Sequence, residues 1–331
     1  MMQKILSMIL VLALAATGAL APACSQTPQT AERPPLRVGW FLWPGWYPIV
    51  IAKEKGFFDK HGVHVEPILY TAYTDIFSDF AAAKLDAAHG GLYELLKSNV
   101  PGMKVVLVTD NSDGAEGLVV TPDIETPADL AGKRIGIQGA LSGSEFLITT
   151  LLRRHGLSRS NLTLVDVGPE IVLETMPEKI QGGYTWEPFL SKAKEKGYKV
   201  LFTTADTPGM IPDVIAFQGR VANERPADVQ AFVDAWFEAQ AYWLAHRDEC
   251  DAIIARATGQ KPGDISLEGC RIFSREDNRK AFTREDAPSS LYGTGTKQIT
   301  FFISVGDASV APDIGEVLDP AFVQGAGDAR K

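Results

Sequence analysis

The sequence predicts a mixed α/β protein of two lobes, each a mostly parallel sheet with helices on both faces. Two observations carry this. From Leu36 onward, short apolar strand-like runs alternate with amphipathic helical segments, the succession expected of a parallel sheet covered by helices. A second unit of the same kind starts near Thr121, and from Pro226 the chain returns through a long helical region.

The elements follow in order. Lys4 is the single charge before an apolar run, Ile5 to Leu20, and Ala21-Pro22-Ala23-Cys24 follows. Small residues at the cleavage positions make 1–23 a secretory signal peptide. A cysteine right after them has the form of a lipoprotein signal, so Cys24 is the expected lipidation site. Residues 24–35, with "SQTPQTAERPP", read as a flexible tether. The expectation is a membrane-anchored lipoprotein working in an extracytoplasmic, periplasmic space.

"LRVGWF" is a strand, and Pro48 suits the first turn of the helix that Gly56 ends. "VHVEPIL" alternates as a strand, "DIFSDFAAAKL" is amphipathic helix, "DAAHGG" is strand and turn, and "LYELLKSN" is helix. "MKVVLVTD" is a buried-type strand. In the second unit Thr126 caps a turn before strand Arg134–Gln138, and Ser142 or Ser144 can cap the helix that Gly156 ends. "NLTLVDVG", "GGYTWEP", "KVLFTT" and "DVIAFQG" supply further strands. Lobe one is expected over 36–118, lobe two over 119–208, and the return to lobe one, with C-terminal helices, over 209–331.

The net charge is −9, and losing Lys4 with the signal would make it one unit more negative. Such a body argues against nucleic acid as a partner, because phosphate binding needs clustered Lys and Arg. With Cys24 acylated, Cys250 and Cys270 remain, on what read as neighbouring helices; they are a candidate disulfide, or else two buried thiols.

In open parallel sheets, ligands bind at loops that follow the carboxyl ends of strands. Those loops carry Trp43, Pro44, Gly45, Trp46 and Tyr47, then Tyr70, Tyr73 and Asp75, then His89, Tyr93 and Glu94. The first crossing region adds Asp110, Asn111, Ser112, Asp113 and Glu116. The second unit adds Gln138, Ser142, Gly143, Ser144, Trp186 and Glu187, and Asp213 lies near the return. From these, the expected ligand-binding set is Trp43, Trp46, Tyr47, Tyr73, His89, Asp113, Glu116, Ser142, Ser144, Trp186, Glu187 and Asp213. Trp40 and Phe41, bordering the first strand, are expected in the core. Large aromatics with a few polar groups suit a small-molecule cleft.

"WPGWYPIVIAKEKGFFDKHGV", "DLAGKRIGIQ", "GGYTWEP" and "LDPAFV" resemble the extracytoplasmic substrate-binding proteins of ABC importers, of the nitrate, sulfonate, taurine and thiamine-precursor type. The resemblance covers the chain after the tether. It implies a type II periplasmic binding fold, two crossing strands, a ligand enclosed as the lobes close, and a membrane permease and ATPase as partners. One departure stands out. Gly182-Gly183 occupies the place where the family often has an acidic "VDA" turn.

The loops hold many acids and hardly any Lys or Arg. Acids beside aromatic faces suit an amine-bearing heteroaromatic or other cation. The Gly139–Ser144 turn entering a helix offers an oxyanion site instead, so a sulfonate- or nitrate-like anion stays open. A monomer is expected. A sensing lipoprotein with a signalling partner is an alternative role. Some relatives of the fold make the thiamine pyrimidine with a cysteine-rich segment, absent here. "GALSGS" lacks the spacing of a hydrolase elbow, and there is no P-loop and no GxGxxG. An enzyme, a cofactor and a metal site are therefore not expected; His61 and His64 read as surface turn residues.

Overall fold

The computed structural model describes residues 33–139, 142–306 and 312–324. The signal segment and Cys24 lie outside the described residues. Eleven strands follow in chain order: β1 (Leu36–Trp40), β2 (Val65–Leu69), β3 (Ala87–Gly91), β4 (Lys104–Ser112), β5 (Glu116–Val120) and β6 (Arg134–Ile137). Then come β7 (Thr163–Asp166), β8 (Gly182–Trp186), β9 (Lys199–Thr203), β10 (Pro212–Phe217) and β11 (Cys270–Ile272).

They form two sheets, in the orders β2-β1-β3-β10-β4-β11 and β7-β6-β8-β5-β9. In the first, β1 runs parallel to β2 and β3. In the second, β6 runs parallel to β7 and β8. The strands reached by crossing, β5 and β10, join antiparallel to their neighbours. Two sheets with two crossings are what the sequence and the resemblance led one to expect.

Helix Pro48–Glu54 starts on its proline and stops at Gly56, whose φ of 69° places it in the left-handed region. It packs on the long helix Pro226–Ala245. That helix is fixed to the first sheet by Phe232, which stacks on Phe58 at 5.4 Å and meets Phe217 of β10 edge-on at 5.3 Å. "LDPAFV" closes the chain back on lobe one: Asp319 N–H donates to Val105 O at 2.9 Å, and Phe322 and Val323 are buried.

The C-terminal region is not all helix. β11 pairs with β4 and carries Cys270, which the sequence reading had put on a helix. Of the two alternatives left open for the cysteines, the structure has the buried thiols. Cys250 and Cys270 are both free and buried, the first within the helix Arg247–Thr258 and the second with its thiol donating to Asp110 Oδ1 at 3.1 Å.

The crossings are tied together. Gly269, just before β11, accepts the amides of Asp113 and Ala115 at 2.7 and 3.1 Å. Thr204 on the return path shares a hydrogen bond with Ser112 and accepts the Gly114 amide, both at 2.8 Å. Gly269 has φ of 70°, and a Cβ there would lie 2.4 Å from the Ala115 nitrogen. Gly269→Ala should therefore destabilise the protein by about 1–3 kcal/mol, read as a lower urea midpoint; an unchanged midpoint would show that the crossing does not need this close approach.

Candidate functional site

Register brings the site together. Asp213, the second residue of β10, pairs with Gly91 at the end of β3 and with Asp110 near the end of β4. In the other sheet Glu116, first in β5, pairs with Trp186, last in β8. Gly91, Asp213, Glu116 and Trp186, with the loop after β1, line a cleft of about 540 Å3, counting its opening to solvent.

Its walls are aromatic. Trp43 and Trp46 come from the short turn Pro44–Trp46, which the proline starts. Phe41, Tyr73, Tyr184 and Trp186 complete the lining. Tyr73 stands at the centre, with Trp46 at 6.0 Å and Trp186 of the second sheet edge-on at 6.1 Å. Its hydroxyl accepts the Gly91 amide at 3.0 Å.

Between these rings stand several acids, with Gln138 and Ser144 as further polar groups. Asp110 accepts the Trp43 indole N–H at 2.8 Å and the Thr109 hydroxyl at 2.7 Å. The turn comes so close that a Cβ on Gly45 would lie 1.7 Å from Asp110 Oδ2. Burial raises the pKa of both Asp110 and Asp213, and their mutual repulsion raises Asp213 well above the usual range. Both shifts favour the neutral carboxyl, more strongly at Asp213. Glu116 accepts the Tyr184 hydroxyl, and burial pushes its pKa up to about 7. Glu94, in the first turn of helix Leu92–Ser98, is likewise raised by burial, and its Oε1 accepts the Gly143 amide at 3.0 Å. No lysine or arginine is among the residues that line this cleft.

The structure sorts the expected residues. Trp43, Trp46, Tyr73, Glu116, Ser144, Trp186 and Asp213 line the cleft. Ser142 stands just behind it as the cap of helix Gly143–Arg154, accepting the Glu145 amide, with its hydroxyl 2.7 Å from that of Ser144.

The others lie elsewhere. Tyr47 turns into the helical layer, where its hydroxyl donates to Gln260 at 2.8 Å and its ring meets Trp243 edge-on. His89 packs behind Trp46, between that ring at 5.5 Å and Trp236 at 5.1 Å; burial takes its pKa down to about 3, so it is neutral. Asp113 borders a separate depression with Arg271 and Lys280. Glu187 accepts the Ser191 amide and hydroxyl and so caps the helix Phe189–Glu195.

Sequence reasoning passed over Phe41, Tyr184, Glu94 and Asp110 when it chose the site. Phe41, expected in the core, is buried there and also borders the cleft. For Asp110 a signal existed: the polar run Thr109-Asp110-Asn111-Ser112 closes an otherwise apolar strand, and all four are buried. Among the described residues no group of three or more His, Cys, Asp or Glu has the arrangement of a metal site, and no helix is long and apolar enough to cross a membrane.

Comparison with known proteins agrees with this architecture. The taurine-binding periplasmic protein of Escherichia coli K12 is 28% identical over 174 residues, 49% of this chain and 53% of that one. A Haemophilus influenzae Rd protein named for thiamine biosynthesis is 26% identical over 226 residues, 66% of this chain and 71% of that one. Among solved structures, the alkanesulfonate-binding protein SsuA of Xanthomonas axonopodis pv. citri, bound to MOPS, superposes with a TM-score of 0.67 at 17% identity, over 88% of this chain and 100% of that one. The model of the NMT1-like family matches residues 29–258, more than half of the sequence. With two sheets, two crossings and a cleft between them, the chain has the fold of the periplasmic binding proteins, and it belongs to the NMT1-like family.

Proposed function

We propose that this chain is the extracytoplasmic solute receptor of an ABC importer, and that its ligand is a small organic cation or an amine-bearing heteroaromatic. The single observation that carries the ligand class is the charge of the cleft. Glu94, Glu116 and Asp213 line it, Asp110 stands directly behind Trp43, and no lysine or arginine is among the lining residues. A cation enclosed there gains cation–π attraction from the indole and phenol faces and charge-assisted hydrogen bonds from the acids. A sulfonate would find no lysine or arginine among the lining residues to pair with. The names of the relatives divide between sulfonates and thiamine biosynthesis, and the charge of this cleft favours the amine side.

In this reading lobe one, 36–118 with 209–331, and lobe two, 119–208, close on the ligand about the tied crossings. Lipid on Cys24 holds the chain, as a monomer, near its permease and ATPase. Its role is binding, without turnover.

Three outcomes test the reading. In a thermal-shift panel, benzylamine, choline or 4-amino-2-methylpyrimidine should raise the melting temperature, while methanesulfonate and nitrate should not; stabilisation by the oxyanions alone would end the cationic reading. Trp186→Ala removes a half-buried wall and should weaken binding of the best amine about tenfold, the upper part of the range for cation–π contacts, with little change in melting temperature. Unchanged affinity would take Trp186 out of the site.

The third is pH dependence. Glu116 faces Tyr184, Ser112, Glu94 and Asp110, and burial places its pKa near 7. Its folded pKa lies above the unfolded value, so the protonated form stabilises the empty fold. That contribution is full below about pH 4.5 and is lost as pH rises through about 7. A bound cation favours the ionised form, so amine affinity should rise from pH 6 to pH 8 while the empty protein's melting temperature falls. Calorimetry in buffers of different ionisation heat should register proton release; affinity that falls over this interval would contradict the reading.

A further inference from the structure

The Gly143 end of helix Gly143–Arg154 is where the sequence offered an oxyanion site, and in the structure it is already occupied. Glu94 reaches it from lobe one. Its Oε1 accepts the Gly143 amide at 3.0 Å. Two glycines, one from each lobe, clear room for this carboxylate: a Cβ on Gly91 would lie 2.4 Å from Oε2, and one on Gly143 would lie 2.8 Å from Oε1. The same residue lines the cleft. Two oxygens cannot use one N–H at full strength, so a ligand oxyanion seeking that amide would have to displace Glu94.

We propose that Glu94 is the specificity-determining residue of the cleft: its carboxylate fills the N-terminal end of the second-lobe helix from the first lobe, excluding ligand oxyanions there, and presents its negative charge to a ligand cation. This deepens the cationic reading above and rests on it. The Gly143 amide and the partial positive charge of the helix N-terminus favour the ionised form of Glu94 and oppose part of the desolvation that raises its pKa. The hydrogen bond also joins the lobes directly, beside the Tyr73–Trp186 contact and the stacking of Tyr93 on Phe146 at 5.7 Å. One side chain therefore serves both closure and the choice of charge.

The test uses the folded lipid-free protein, two variants and two probes, benzylamine and methanesulfonate, titrated calorimetrically at pH 6, where Glu116 is mostly protonated. Glu94→Ala vacates the amide and should bind methanesulfonate at least tenfold more tightly than the parent, while losing at least tenfold for benzylamine. Glu94→Gln keeps an oxygen for the Gly143 amide without the charge. It should stay blind to methanesulfonate and still lose affinity for benzylamine. A Glu94→Ala protein with the parent's circular dichroism and no gain for methanesulfonate would overturn the role of Glu94. The two readings fail separately. A parent that binds no amine, with a Glu94→Ala variant that gains methanesulfonate, discards the cationic ligand and keeps the role of Glu94. An amine-binding parent whose Glu94→Ala variant gains nothing discards the role and keeps the ligand class.

Discussion

A carboxylate taken out of water without a counter-ion carries a penalty of several kcal/mol, and this fold gathers four acids, Glu94, Asp110, Glu116 and Asp213, around one cleft. The local chemistry shows how that is tolerated. Asp110 accepts the Trp43 indole N–H and the Thr109 hydroxyl, and burial shifts both Asp110 and Asp213 toward the neutral form. Glu116 is held by the Tyr184 phenol and titrates near neutrality. Glu94 leans on a helix amide from the other lobe. Each device reduces the penalty.

The rest of the architecture holds this arrangement in place. The loop after β1 presses its backbone against Asp110, which only a glycine at position 45 permits. The antiparallel entry of β10 sets Asp213 between Gly91 and Asp110, and the entry of β5 sets Glu116 beside Trp186. Thr204 binds the return crossing to the first through Ser112 and Gly114, and Gly269 holds the first crossing against the loop before β11. Behind the cleft, His89 is a neutral spacer between Trp46 and Trp236 and helps hold the wall without adding charge.

Much of the fold was legible because its signals are local. Prolines 44 and 48, the glycine stops and the alternation of apolar runs mark the elements where they occur. Within the site, the aromatic turn and the acid-rich loops were visible for the same reason. What the sequence could not supply was facing. Trp46 and Tyr47 are adjacent in one turn, yet one lines the cleft and the other joins the helical layer, a choice set by the non-local Gln260 and Trp243. β3 is buried on both faces, so its alternation did not tell on which side His89 would fall. β11 has three residues, too few for a period, and Cys270 was therefore placed on a helix. Glu94 stood among the loop residues but reads as an ordinary acid of a helix's first turn; its partner Gly143 lies in the other lobe.

The central claim is that this cleft closes on positive charge. Mass spectrometry of the small molecule that co-purifies with the protein from native extract tests it most directly. The account expects a compound carrying an amine or another cationic nitrogen group; a sulfonate or other oxyanion with no basic nitrogen would contradict it.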